Sequence, residues 1–177
     1  FLSITPNGEK ESLIPLTKTY TNLLVIRSLT KLFNIAGLRL GYVIGSAEKL
    51  RRWNIQRDPW PLNSFAIKAG IVLLSNRNFY KEWIKKIHNW ITAEKAWTSK
   101  ELSKIKDLKV HDSSTNFFLI ESNFSLSSNI NYLETKGILI RECSSFRFLN
   151  EKWARISLQS RKNNEILCSE IQNSFKK

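Results

Sequence analysis

The stretch Ser28-Leu29-Thr30-Lys31, followed at short range by Gly37-Leu38-Arg39-Leu40-Gly41-Tyr42, decides how the rest of this chain reads. It begins where NLLVIRS (22–28) ends, a short apolar run with β-branched residues that reads as a buried strand. LGYVIG (40–45) reads as a second strand, and the connection between the two is polar and glycine-bearing, with little periodicity. Two such strands predict the core sheet of an α/β fold. Ligands of α/β sheets bind past the carboxyl ends of the strands, which is where two hydroxyls, a lysine and an arginine gather here. A guanidinium fork matches phosphate geometry, and hydroxyls complete a phosphate cradle. A lysine amine can attack a carbonyl to make a Schiff base. Gly37 and Gly41 let the backbone bend and approach a ligand closely. A lone lysine after Ser or Thr reads as a solvated loop residue; its spacing to Arg39 and the glycines is what points to a ligand.

Working outward, residues 1–16 contain the turn signal Pro6-Asn7-Gly8. Ser46 is placed to cap a helix over 46–54, and Asp58-Pro59-Trp60-Pro61 then breaks the chain. Residues 63–74 (NSFAIKAGIVLL) predict an apolar helix. From 78 to about 105, Trp83, Ile87, Trp90, Ile91, Trp97, Leu102 and Ile105 recur near the helical period, which predicts a long helix with one buried seam. Beyond Lys109 the texture changes. Strands are predicted at 115–121, 137–141 and 154–159, and helices at 129–136 and 163–175, a small α+β unit of β-α-β-β-α type. The expected organisation is part of a large α/β domain (1–77), a long linking helix (78–107) and a small α+β domain (108–177), with no internal repeats.

The net charge of +13 raises the question of nucleic acid. The lysines, however, are interspersed with acids, as in KEWIKKIHNWITAEK, which is the pattern of solvated helix faces. No zinc-finger, RNP or KH signature accompanies them, so no nucleic-acid partner is expected. Cys143 and Cys168 form no CxxC pair, and there are two histidines, so no metal site is expected and both thiols read as small buried hydrophobes. No apolar run is long enough to cross a bilayer. The chain opens on Phe1 without a basic-then-apolar leader, so it is expected to start inside a longer, cytoplasmic protein.

The pattern S-x-T-K, five residues, then G-L-R-x-G-Y resembles the cofactor-lysine motif of class I/II aminotransferases of fold type I, which use pyridoxal phosphate (PLP). The likeness is strongest to the branch of histidinol-phosphate aminotransferase and threonine-phosphate decarboxylase of cobalamin biosynthesis. FLSITPNGE (1–9), RDPWPLN (57–63), GILIRECSSF (137–146) and RISL (155–158) with Asn164 resemble further segments of that branch. The resemblance implies that Lys31 holds PLP and moves the proton at the substrate Cα. It implies that Ser28, Thr30 and Arg39 bind the cofactor phosphate, and that Arg155 clamps the substrate carboxylate. Arg141 and Arg161 are further candidates for a carboxylate or a substrate phosphate. It also implies a homodimer, with Trp60 and Asn63 near its boundary. The family's ring aspartate, stacking aromatic, ring asparagine and glycine-rich phosphate turn would all precede Phe1, so these 177 residues alone are expected to be inactive. Phe146-Arg147-Phe148 stands where the branch carries Gly or Pro nearby. The expected function is amino transfer or decarboxylation of an amino acid or phosphorylated amino acid. The competing expectation is a basic nucleic-acid-binding or interaction module without catalysis.

Overall fold

A computed structural model describes residues 1–176 and separates the chain into two units, Phe1–Lys86 and a second that starts at Ile87. The boundary falls within the long helix α3 (Arg77–Leu102).

The first unit opens with three short 3-10 turns, Leu2–Ile4, Gly8–Glu11 and Ile14–Lys18. Strands β1 (Val25–Ser28) and β2 (Gly41–Ile44) then pair antiparallel, with Val25 opposite Ile44 and Ser28 opposite Gly41. Gly41 is required by this pairing: a Cβ there would lie 2.7 Å from the Arg27 carbonyl oxygen. The helices start where hydroxyl and amide side chains accept otherwise unmet N–H groups. Ser46 accepts from Lys49 at the head of α1 (Ala47–Ile55), and Asn63 accepts from Ala66 at the head of α2 (Ser64–Ser75). Asn76 does the same for Phe79 at the start of α3. The unit's core is small: Ile4, Leu29, Leu32, Phe33, Leu40 and Ala66 are buried. Helix α2 is apolar apart from Lys68 and its two terminal serines, yet Ala66 alone is buried on it, while Phe65, Ile67, Ile71 and Val72 are exposed.

The second unit holds a four-stranded antiparallel sheet in the order β3-β4-β6-β5. Its strands are β3 (Leu108–Val110), β4 (Phe117–Ser122), β5 (Arg141–Glu142) and β6 (Trp153–Ser157). Period-two alternation buries Phe118, Ile120, Ala154 and Ile156 on one face and leaves Arg155 and Ser157 exposed on the other. Helices α4 (Ser127–Thr135) and α5 (Arg161–Ser174) add Ile130, Leu133, Leu167, Cys168 and Ile171 to the core. Both cysteines are free and buried, and burial pushes the Cys168 thiol up to about 12.

Two differences from the sequence reading concern this unit. The three residues of β3 are too short a run to register as a strand in the sequence. Only the end of the 137–141 stretch enters the sheet, because the chain before it closes helix α4. Gly137 adopts φ +72°, its N–H bonds the Glu134 carbonyl at 2.9 Å, and the Ile138 N–H bonds Leu133 at 2.9 Å. This is the paired closure of a helix ending on a left-handed glycine, and it takes up the donor Ile138 would offer a ladder.

Candidate active site

In the first unit, β1 delivers Ser28 and the chain then turns. The Leu29 N–H bonds the Leu40 carbonyl at 3.1 Å, carrying the ladder one pair further. Phe33 N–H to Leu29 (3.1 Å) and Ile35 N–H to Thr30 (3.0 Å) tie the turn across itself. Leu29, Leu32 and Phe33 point into the core, which leaves Lys31 exposed between them. The Ser28 and Thr30 hydroxyls lie 2.9 Å apart, and the Thr30 N–H reaches Ser28 Oγ at 3.4 Å. Ser28, Thr30 and Lys31 line one cavity of about 150 Å³ together with Phe1, Ser3, Ile4 and Leu32.

Arg39 lies outside that lining. It closes the 3-10 turn Ala36–Leu38 at φ +53°, and its Nη1 donates to the Ala36 carbonyl at 3.0 Å. Asn34 also has positive φ, +54°. Asparagine tolerates the left-handed region; arginine does so at a cost of about 1 kcal/mol or more. The connection between Lys31 and β2 thus carries backbone strain at Arg39.

One residue of this region escaped the sequence reading. Arg27 sends Nη1 and Nη2 to the Glu9 carboxylate at 3.2 and 2.7 Å, and Nη2 to Ser12 Oγ at 2.6 Å. Ser3 Oγ donates to the same carboxylate at 2.7 Å. This cluster fastens the opening segment to β1, and nothing in local spacing announces an ion pair between residues 9 and 27. Tyr42, opposite Arg27 in the ladder, has its hydroxyl pushed up by burial and stays protonated.

In the second unit, Arg141 and Arg155 face each other across the β5–β6 ladder. Among the described residues neither has a carboxylate partner. Arg141 Nη2 donates to Ser145 Oγ at 3.0 Å and its guanidinium lies 5.7 Å from the Phe146 ring centre; Arg155 lies 5.3 Å from that of Phe117. Both line a cavity of about 540 Å³ with Ser157, Gln159 and Asn163. Like charges directly opposite on a sheet repel, and an anion between them would reverse the sign.

Arg161 is differently placed. Its Nε and Nη2 both reach the buried Glu94 carboxylate at 3.0 Å, and its guanidinium lies over Trp97, 4.6 Å from the ring centre. The hydrogen bond from Arg161 holds the Glu94 carboxyl below its ordinary range. Asn164, fully buried, donates to Glu94 at 2.9 Å and both donates to and accepts from the Gln159 backbone at 2.9 Å. The fork that a substrate carboxylate would need is already committed.

The family model of aminotransferase class I and II matches residues 4–171. The chain belongs to that family. Among curated relatives it is 31% identical to a putative threonine-phosphate decarboxylase of Caldanaerobacter subterraneus subsp. tengcongensis, over 99% of this chain and 47% of that protein. It is 34% identical to a histidinol-phosphate aminotransferase of Ruminiclostridium cellulolyticum, over 90% of this chain and 43% of that protein. Among solved structures it matches the histidinol-phosphate aminotransferase of Clostridium acetobutylicum with a TM-score of 0.84 at 28% identity, over 99% of this chain and 51% of that one. This aminotransferase-family chain therefore spans about half the length of the relatives it matches, and its α/β fold is theirs.

The donor set at the end of β1 fits the cofactor of that family. An exposed amine and two hydroxyls 2.9 Å apart share one cavity, the donor types an aldehyde and a phosphate call for. Among the described residues no helix is long and apolar enough to cross a membrane.

Proposed function

We propose that this chain contributes the cofactor lysine, part of the phosphate cradle and the anion-binding arginines of a PLP-dependent enzyme that acts on a phosphorylated amino acid or amine. The observation that carries the proposal is the sharing of one cavity by Ser28, Thr30 and Lys31 at the carboxyl end of β1, in a chain of the aminotransferase family. Bound PLP would supply an electron sink for the bond broken at the substrate Cα. Lys31 would hold the cofactor covalently and then carry the proton to or from Cα. Ser28 and Thr30 would donate to the phosphate, and Arg39 is added on the family likeness alone, since it lies outside their cavity.

Arg141 and Arg155 would receive the anionic groups of the substrate. Their unneutralised pairing supports that role, and both relatives named above carry a phosphorylated compound in their names. With its fork taken by Glu94, Arg161 is left out of this set. Family membership favours this reading over a basic binding module. On the family likeness we further propose a cytoplasmic homodimer, and a division into part of a large domain up to about residue 77, a linking helix and a small domain.

Absorbance tests the reading. Addition of PLP to the purified full-length protein is expected to produce a visible band that borohydride removes, with the reduced cofactor mapped to the peptide bearing Lys31. Lys31→Ala is expected to abolish the band. A wild-type protein without a band, or a label spread evenly over surface lysines, would sink the proposal. Arg141→Gln is expected to weaken phosphate-bearing substrate analogues while leaving the band intact.

A further inference from the structure

Beyond the ladder bond from Leu29 to Leu40, the Lys31 turn is held from outside itself at one further point. The indole Nε1 of Trp83, fifty-one residues away on α3, donates to the carbonyl oxygen of Leu32 at 2.8 Å. Leu32 is buried, so without this donor its carbonyl would face apolar surroundings. The same ring stacks on Phe33, with centroids 6.1 Å apart and planes 14° apart, and on Phe79 at 6.3 Å. Phe33 also meets Tyr80 at 6.2 Å. The two residues that follow Lys31 are therefore fixed to the helix by one hydrogen bond and an aromatic cluster, whereas the bonds within the turn are local.

Lys31 is exposed and has a flexible four-carbon stem. What the fold can control is where its Cα stands and which way its Cα–Cβ bond points. Displacements of about 1 Å at a reacting group are enough to cost orders of magnitude in rate. A rigid indole donor bound to the adjacent residue's carbonyl sets both.

We propose that Trp83 is a positioning residue for Lys31, acting through its N–H on the Leu32 carbonyl. The inference rests on Lys31 being the cofactor lysine. Trp83→Phe keeps an aromatic ring for Phe33 and Phe79 to stack on and removes only the donor. It is expected to weaken PLP binding about tenfold, the scale of one lost hydrogen bond, and to shift the pH midpoint of the reducible visible band. Phe33→Leu loses the stack and keeps the hydrogen bond; it is expected to lower the melting temperature and leave that midpoint in place. Trp97→Phe, in the second unit, is expected to leave both affinity and midpoint unchanged.

The outcomes separate the two ideas. No band in the wild-type protein overturns the cofactor reading itself. A normal wild-type band with wild-type affinity and midpoint in Trp83→Phe overturns the role of Trp83 alone. Equal losses in Trp83→Phe and Trp97→Phe also overturn it, since they would reflect general destabilisation. If Trp83→Phe does not fold, a shifted midpoint in Phe33→Leu would transfer the role from the N–H to the ring and overturn the proposal as stated.

Discussion

Replacing Asn164 by alanine removes three hydrogen bonds from a residue with no exposed surface. Their weights differ. The bond to Glu94 goes to a charged, buried acceptor and contributes about 2 kcal/mol, since bonds to charged groups run to roughly 1.5–3. The two bonds to Gln159 join backbone groups of an exposed residue that water can reach, so each is worth about 0.5 kcal/mol. The expected loss is about 3 kcal/mol, which at a urea slope of about 2 kcal/mol/M moves the midpoint down by about 1.5 M. Urea titration followed by far-ultraviolet circular dichroism measures it. Asn163→Ala, one residue away and exposed, is the control and is expected to stay within about 0.5 kcal/mol of wild type. A shift for Asn164→Ala no larger than that of the control would refute the claim that this amide holds the Glu94 site together.

Glu94 carries a pH signature of its own. Arg161 holds its carboxyl below the ordinary value of 4.5, so it contributes stability that is present above that value and lost as pH falls through its lower folded one. Glu94→Gln is expected to be less stable than wild type at neutral pH and to lose less on acidification below about 4.5, as read from melting temperatures across that window. Gly41→Ala places a methyl group 2.7 Å from the Arg27 carbonyl oxygen and is expected to cost about 1–3 kcal/mol by forcing β1 and β2 apart, measurable by thermal melting. Arg39→Gly relieves a left-handed backbone at φ +53°, so it is expected to hold or raise stability by up to about 1 kcal/mol while lowering PLP affinity. A loss of stability there would show that the arginine side chain supports the loop.

The elements whose signals are local were readable from the chain. Ser46 announced its helix because a capping side chain bonds within its own turn, whereas the cap at Asn63 emerged only in the structure. The short apolar run within 115–121 announced β4, and the structure buries every second residue of it. Ser28, Thr30 and Lys31 stood out in the sequence because two hydroxyls and an amine gather at the end of one strand. Contacts set by tertiary folding were not. The Arg27–Glu9 pair, the Trp83 bond to Leu32 and the Arg161–Glu94 fork join residues 18, 51 and 67 positions apart, and no spacing rule links them. Arg161 illustrates the cost: in a list of residues it looks like an available guanidinium, and only the fold reveals the buried acid that claims it. The 137–141 stretch failed for a different reason, because a β-prone sequence lost its first donor to the closure of the preceding helix.

The two buried thiols make the second unit able to report on itself. Cys143 and Cys168 are the chain's only cysteines, and both follow Ile87. A thiol sealed in the core with its ionisation pushed up, in Cys168 to about 12, reacts with an alkylating reagent only when the core around it opens. Labelling followed over time would therefore clock the opening of the second unit, while the unit that carries Lys31 stays silent. Substitutions around Lys31 and around Glu94 can thus be told apart in one mass spectrum, without adding a probe to the protein.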